Sequence, residues 1–147
     1  MYSLSITYRF VGDCICRITS KEEINEIETA LQSPIEGVKA HIQTSIDLFA
    51  SKQNPDYRNS IKESISAVES LCKIITQDPN ATLGQALKKI EDEKKLNLPQ
   101  SLKQAFSILC GYSSSSHGIR HGLIQEPNLQ QDDARFFLIA CSAFINY

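Results

Sequence analysis

The sequence lacks the features that mark membrane-spanning and exported proteins. It has no tryptophan and one methionine in 147 residues. None of its apolar runs approaches the ~20 residues that cross a bilayer. Its first ten residues have neither the basic start nor the long apolar stretch of a signal peptide. We therefore expect a cytoplasmic protein with no membrane span.

The sequence also lacks a large excess of charge of either sign. Fifteen Lys and Arg against 17 Asp and Glu give a net charge of −2, and the pI is about 5.9. A protein that binds duplex nucleic acid by neutralising phosphates usually has a basic face and a high pI. Any contact with nucleic acid is then local, or is built by pairing two subunits.

The five cysteines are an odd number and do not have the spacing of a disulfide framework. Four have mainly apolar neighbours and are predicted to be reduced core residues: Cys16, Cys72, Cys110 and Cys141. The pair Cys14 and Cys16, together with one His-x3-His pair, falls short of a zinc site, which has four ligands at recognisable spacing. We predict no bound metal and no cofactor.

The pattern of residues 3–18 predicts a small β-hairpin. β-forming residues alternate on both sides of a turn at Gly12 and Asp13. Because a two-stranded hairpin alone is marginally stable in water, we expect it to pack on helices.

The residues that follow have the periodicity of amphipathic helices. Capping residues and prolines predict helices that begin near Ser20, Ser33, Asn54, Thr82, Pro99 and Asn128. The fourth and fifth helices are expected to face inward with Leu83, Ala86, Leu87, Ile90, Leu102, Ala105, Phe106 and Leu109. With the hairpin, these elements predict a single mainly α domain over residues 1–147, built as a helical bundle.

The longest predicted helix runs from Asn54 to about Thr76. At 100° per residue, its narrow apolar stripe lies within about 40° of Ile61, and the flanking residues widen it, which predicts a central helix. Arg58 and Glu69 lie about 60° and 80° from the stripe, so both are predicted to be half-buried charges that reach solvent, form salt bridges or support a site. The predicted solvent positions are Asn59, Glu63, Ser66 and Ser70, and His41 of the preceding helix is predicted to be a surface or edge residue.

The last predicted helix is apolar over much of its circumference, which is typical of a helix that is buried or lies at an interface. Both the core and a shared dimer seam remain open. The chain ends at Tyr147 within this apolar pattern. We therefore expect a further segment or a partner protein beyond Tyr147.

The residues from Gly111 to Gly122 contain the strongest functional candidates. A tract of four serines predicts a mobile loop, and it is followed by His117, Arg120 and His121. If a helix begins near this cluster, its free N–H groups would add affinity for an anion.

We take His117, Arg120 and His121 as candidate catalytic residues. Tyr112, Arg58 and Glu69 are candidate binding or supporting residues. The structural alternative is that Arg120 bonds to Glu69 or to a carbonyl and that the histidines are exposed.

Several blocks of the sequence resemble one protein family. The blocks are Tyr8-Arg9-Phe10-Val11, residues 54–69, Thr82-Leu83-Gly84 with Ala86-Leu87, Gly118-Ile119-Arg120-His121 and residues 141–147. They resemble the fourth variant of the N-terminal domain of AbiJ-like abortive-infection proteins, which act in phage defence. This family belongs to the HEPN class (higher eukaryotes and prokaryotes nucleotide-binding), and the similarity extends over nearly the whole chain.

The resemblance implies a HEPN-like helical bundle that forms homodimers and binds RNA or nucleotides. Many HEPN members are metal-independent ribonucleases of toxin–antitoxin, abortive-infection and CRISPR systems. Their signature is an Arg followed by a His after four to six intervening residues. In this sequence Arg120 is followed at those distances by Gln125, Glu126 and Pro127.

Two functions therefore stay open. The first is an RNA- or nucleotide-binding module with ribonuclease activity. The alternative is a non-catalytic sensor or interaction domain that regulates an attached or partner effector.

Overall fold

The computed structural model describes residues 8–11, 13–17, 20–94, 99–114 and 129–147. They form β1 (Tyr8–Val11), β2 (Cys14–Arg17), α1 (Lys21–Leu31), α2 (Glu36–Ala50), α3 (Tyr57–Thr76), α4 (Leu83–Asp92), α5 (Gln100–Ser114) and α6 (Gln131–Asn146). The predicted mainly α architecture with an N-terminal hairpin is confirmed for these residues. Their helices are too short or too polar to pass through a bilayer.

The hairpin pairs β1 with β2 in antiparallel register, with Val11 opposite Cys14 and Phe10 opposite Ile15. This register places the reversal between Val11 and Cys14, which agrees with the predicted turn; residues 3–7, 12 and 18 of the predicted hairpin lie outside the described residues. β2 packs on α2, and β1 contacts α1. The Cys14 Sγ lies 3.2 Å from the Asp47 Oδ1 of α2. The expectation that the hairpin packs on helices is therefore confirmed.

The first two helix starts differ in how closely they follow the prediction. The Glu23 N–H donates to the Ser20 Oγ at 3.2 Å, so Ser20 caps α1 as predicted. α2 begins at Glu36 instead of Pro34. The Ser33 Oγ accepts a hydrogen bond from the Ile35 N–H, 3.3 Å away and only two residues on. This local turn replaces the predicted N-cap and delays the helix.

The start of α4 and the end of α3 follow the sequence signals. Thr82 and Gln85 form the predicted capping box, each side chain accepting the other residue's N–H. α3 ends at Thr76, also as predicted. The Lys89 Nζ donates to the Thr76 carbonyl oxygen at 3.0 Å. A cation from α4 therefore satisfies a carbonyl group at the end of α3.

α3 is the central helix, as predicted, because it contacts α2, α4, α5 and α6. Its apolar stripe and the adjacent α4 supply much of the core: Ile61, Ile65, Val68, Cys72, Leu83, Ala86, Leu87 and Ile90. Cys72 and Cys141 are buried thiols, which confirms the prediction for these two cysteines. The side chains of Cys16 and Cys110 lie outside the described residues.

α6 packs against helices that lie far before it in the sequence. It packs on α3 and α1 and buries Ala134, Leu138, Cys141, Ser142 and Phe144. The Asn146 Nδ2 donates to both the backbone oxygen and the Oε2 of Glu26, at 2.8 Å each. These bonds connect residues that are 120 positions apart.

α5 differs from the prediction in two ways. It continues to Ser114, so the expected loop does not begin at Gly111. Once a helix is nucleated, each added residue gains a backbone hydrogen bond, and this outweighs the low propensities of Gly and Ser. In addition, Ala105 is exposed, whereas Leu102 and Phe106 are half-buried. Among the described side chains of α5, fewer are covered than its apolar stripe suggests; the side chain of Leu109 lies outside the described residues.

Candidate functional site

The predicted anion-binding cluster lies outside the described residues. His117, Arg120 and His121 all belong to residues 115–128. Their grouping therefore stays a prediction. The backbone of Tyr112 lies in the last turn of α5 instead of in a loop, and its side chain is also outside the described residues.

The two predicted half-buried charges of α3 have different surroundings. Glu69 is half-buried, as predicted, but Arg58 is exposed, so the prediction for Arg58 is wrong. A helical projection gives only the angle around the axis, whereas burial also depends on the position along it. Arg58 is the second residue of α3, where its flank is open to solvent. The two residues are 11 positions apart, about 16 Å along the axis, so the structure does not bring them together.

Glu69 has an electrostatic effect inside the bundle. Burial, reinforced by the negative charge of Glu69, raises the pKa of the Cys72 thiol from 9.0 to about 12. Because the thiolate is the reactive form, a thiol with this pKa is a poor nucleophile near neutral pH. Cys72 is a core residue and not a catalytic one.

The most elaborate polar contact in the described residues joins α2 to α3. We call it the α2–α3 seam; its members are Gly37, His41, Ser45, Ser60, Glu63, Ser64 and Ser70. At its centre, the Ser45 Oγ contacts the Ser60 carbonyl oxygen at 2.8 Å, and the Ser60 Oγ donates to the Ser45 carbonyl oxygen at 2.8 Å. The Ser64 Oγ lies 2.7 Å from the Ser45 Oγ. All three serines are fully buried. Small hydroxyl side chains therefore let two helix backbones come close while their polar groups stay satisfied.

The seam continues outward from the serines. The His41 Nδ1 lies 2.6 Å from the Glu63 Oε2, with the side chains 38% and 25% exposed. Further along, a Cβ built on Gly37 would lie 3.6 Å from the Ser70 side chain, in ordinary van der Waals contact. Glu63, Ser66 and Ser70 are half-buried. The prediction of these three as solvent positions is therefore wrong.

The chemistry of His41 and Glu63 is limited by their neighbours. An imidazole oriented by a carboxylate is the arrangement of a general base. The hydroxyls of Ser45 and Ser64 in the seam are fully buried and bonded to each other. Within the described part of the chain, no three His, Cys, Asp or Glu residues are grouped to bind a metal ion. The His41–Glu63 pair joins α2 to α3 at a partly exposed position.

The signal in the sequence that could have suggested this seam is the short connection between α2 and α3. Residues 51–56 reverse the chain, so residues further before the connection meet residues further after it. Ser45 meets Ser60, and the earlier residue His41 meets the later residue Glu63. A helical projection of α3 alone cannot show these contacts because it does not include α2.

Comparison with known proteins gives no relative: no family model, no curated protein and no solved structure matches this chain. The similarity to AbiJ-like N-terminal domains therefore rests on the sequence blocks quoted above.

Proposed function

We propose that this chain is a HEPN-like module of a phage-defence protein of the abortive-infection type. In this proposal the module acts as a homodimer and binds the phosphates of RNA or of a nucleotide through His117, Arg120 and His121. One observation carries the proposal. Two of the three histidines and one of the five arginines lie within residues 117–121, which include the block Gly118-Ile119-Arg120-His121 that resembles the family.

The residue types suit a phosphate ligand. A guanidinium presents parallel N–H donors to phosphate oxygens, and these charge-assisted bonds are stronger than neutral ones. An imidazole adds a further donor, and as a general acid or base it can move the proton of a ribose 2′-hydroxyl. The net charge of −2 makes this local cluster the expected source of affinity, since the chain has no general excess of cations.

Binding and catalysis are separate parts of the proposal. The sequence has no His at the family's distance after any arginine. We therefore propose binding as the principal activity, and metal-independent RNA cleavage as an additional activity of the same residues.

Fluorescence anisotropy with a labelled single-stranded RNA tests the binding. Arg120→Ala should weaken binding about tenfold or more, because a hydrogen bond to a charged group contributes about 1.5–3 kcal/mol. Lys62→Ala removes an exposed cation of α3 and is the control; it should leave the affinity within about twofold. No binding by the unaltered chain, or equal loss in both variants, would contradict the proposal.

Incubation of the same RNA with the protein in EDTA tests cleavage. Products that appear in EDTA and disappear with His121→Ala would support metal-independent catalysis by this cluster. Intact RNA together with normal binding would leave a binding module without ribonuclease activity.

The second candidate function is the non-catalytic interaction domain. It is favoured by large apolar side chains on the surface, such as Phe10 of β1 and Ile108 of α5, which are 68% and 73% exposed. Persistent RNA binding that depends on Arg120 would count against this alternative.

A further inference from the structure

The solvent-facing side of α6 carries an apolar seam, which we call the α6 seam: Phe136, Ala140, Ala143 and Tyr147. Phe136 and Tyr147 are 55% and 64% exposed. Ala143 is exposed, and Ala140 is half-buried. At 100° per residue the four positions lie within about 60° of one another, on the side opposite the buried Leu138.

This surface differs from an ordinary solvent-facing helix side. Exposed helix faces normally carry charged residues; α6 has the exposed acids Asp132 and Asp133 in its first turn, but residues 136–147 contain no charged side chain. Packing in the core explains why the opposite side of α6 is apolar, but it does not explain the apolar residues of the α6 seam. The spacing of the seam is four, three and four residues, which is the repeat that keeps a helix facing a second helix in a coiled coil.

We propose that the α6 seam pairs antiparallel with the α6 seam of a second copy of this chain. With the two-fold axis between Ala140 and Ala143, each Ala140 faces Ala143 of the partner subunit. Each Phe136 then faces Tyr147 of the partner subunit. The alanines allow the helices to approach closely at the centre, and an aromatic pair covers each end.

The surface itself favours a second copy as the occupant. A two-fold interface requires a patch that complements itself. Large, small, small and large residues in this order meet that requirement in antiparallel pairing. The seam has no charge with which to bind a strongly charged partner.

The size of the seam sets the strength of the association. An aromatic side chain has about 150–250 Å² of surface. Phe136 and Tyr147 are 55% and 64% exposed, so these two side chains and the alanines together offer roughly 300 Å² per copy. A standard stable interface buries about 800 Å² per partner. The pairing is therefore a weak equilibrium that depends on protein concentration. This inference rests on the homodimer of the proposed function and assigns its contact surface.

Sedimentation equilibrium of the full chain between about 10 µM and about 1 mM tests the pairing. The average mass should rise from 16.4 kDa towards twice that value. Ala143→Glu should hold the mass at the monomer value, and Tyr147→Gln should reduce association. Ile74→Glu alters an apolar residue of α3 that is 53% exposed and is the matched control; it should associate as the unaltered chain does.

A double variant tests the orientation. In antiparallel pairing, Ala140→Lys combined with Ala143→Glu places each lysine opposite a glutamate of the partner subunit and should restore association. In parallel pairing the same change would oppose like charges. Failure to restore association would contradict the proposed geometry.

Two further results would overturn the inference. One is a mass of 16.4 kDa at every concentration. The other is a large drop in melting temperature for Ala143→Glu, which would show that the seam is covered within its own chain. These measurements do not involve RNA, so loss of RNA binding with normal association would refute only the phosphate-binding proposal.

Discussion

His41 and Glu63 join α2 to α3 through a contact of 2.6 Å between the Nδ1 and Oε2 atoms. The two residues are 22 positions apart in the sequence. Because their side chains are 38% and 25% exposed, solvent screens the pair and its contribution to stability is small. The pair marks the register of the two helices, while the buried serines beside it are more important energetically.

A double-mutant cycle can measure the His41–Glu63 contact. We expect His41→Gln and Glu63→Gln to show a coupling free energy of about 0.2–1 kcal/mol in urea unfolding, as is typical of partly exposed pairs. A cycle that combines His41→Gln with Glu22→Gln, an exposed acid of α1, is the control and should show none. Zero coupling for the first cycle would mean that the contact does not form in solution.

Two buried serines should respond oppositely to replacement by alanine. The Ser45 Oγ bonds to both Ser60 and Ser64, so Ser45→Ala should lower the free energy of unfolding by about 1–2 kcal/mol. Among the described residues, the Ser142 Oγ has no hydrogen-bond partner. Ser142→Ala should therefore leave stability unchanged or raise it by up to about 1 kcal/mol, since alanine is also the better helix former.

Chemical denaturation of both variants measures this difference. Both side chains are fully buried, so the comparison separates hydrogen bonding from burial. Equal destabilisation by the two substitutions would contradict the role of the serine network.

The cap of α3 predicts a stabilising substitution. Gln77 has φ 56° and ψ 29°, in the left-handed region. Glycine adopts this conformation without the steric cost that a side chain incurs. Gln77→Gly should therefore raise the free energy of unfolding by about 0.5–1 kcal/mol.

Gln32 is the matched control for this change. It caps α1 with φ −90°, which any residue adopts, so Gln32→Gly should destabilise by about 0.5–1 kcal/mol through the entropy of the unfolded chain. Thermal melts of the two variants should shift in opposite directions. Shifts of the same sign would be incompatible with the left-handed cap.

The Cys72 thiol should be unreactive in the folded protein. Its pKa of about 12, against 9.0 for the ordinary thiol, means about a thousandfold less thiolate at pH 8. Alkylation by iodoacetamide followed by peptide mass spectrometry should label Cys72 rapidly only in denaturant. Rapid labelling under native conditions would contradict its burial.

The same pKa difference predicts a change of stability with pH. The folded protein binds the Cys72 proton more tightly than the unfolded chain does. The stabilising effect is therefore fully present below pH 9 and is lost as the pH rises towards 12. Between pH 8 and pH 10 the free energy of unfolding should therefore fall more for the unaltered protein than for Cys72→Ala, which has no thiol at this position.

Local signals in the sequence predicted much of the helical framework. Ser20 and the pair of Thr82 and Gln85 act on N–H groups only three residues away, so the information for these caps is contained in a short stretch. The apolar stripes of α3 and α4 also identified buried residues correctly. These features depend on helical geometry alone.

The errors arose where a neighbouring element decides the outcome. Arg58 lies at a half-buried angle of α3 but is exposed, and Glu63 lies at a solvent angle but is partly covered by α2. A helical projection of one helix shows neither how far the neighbouring helix extends nor the register in which the two helices pack. The contact between Ser45 and Ser60 could likewise be predicted only from the way in which α2 and α3 pair.

The candidate site could be predicted only as a set of residue types. His117, Arg120 and His121 are close in the sequence, but proximity along a chain does not fix the direction of side chains. A site needs convergent donors, and this property comes from tertiary structure.

The bond between Asn146 and Glu26 has a consequence for biosynthesis. α2 and α3 can associate as soon as both have left the ribosome, because Ser45 and Ser60 are only 15 positions apart. α1 contacts α6, whose Asn146 lies 120 positions after Glu26. The nascent chain therefore holds the α6-facing surface of α1 uncovered until α6 has left the ribosome, and this surface is where a chaperone would find the growing polypeptide.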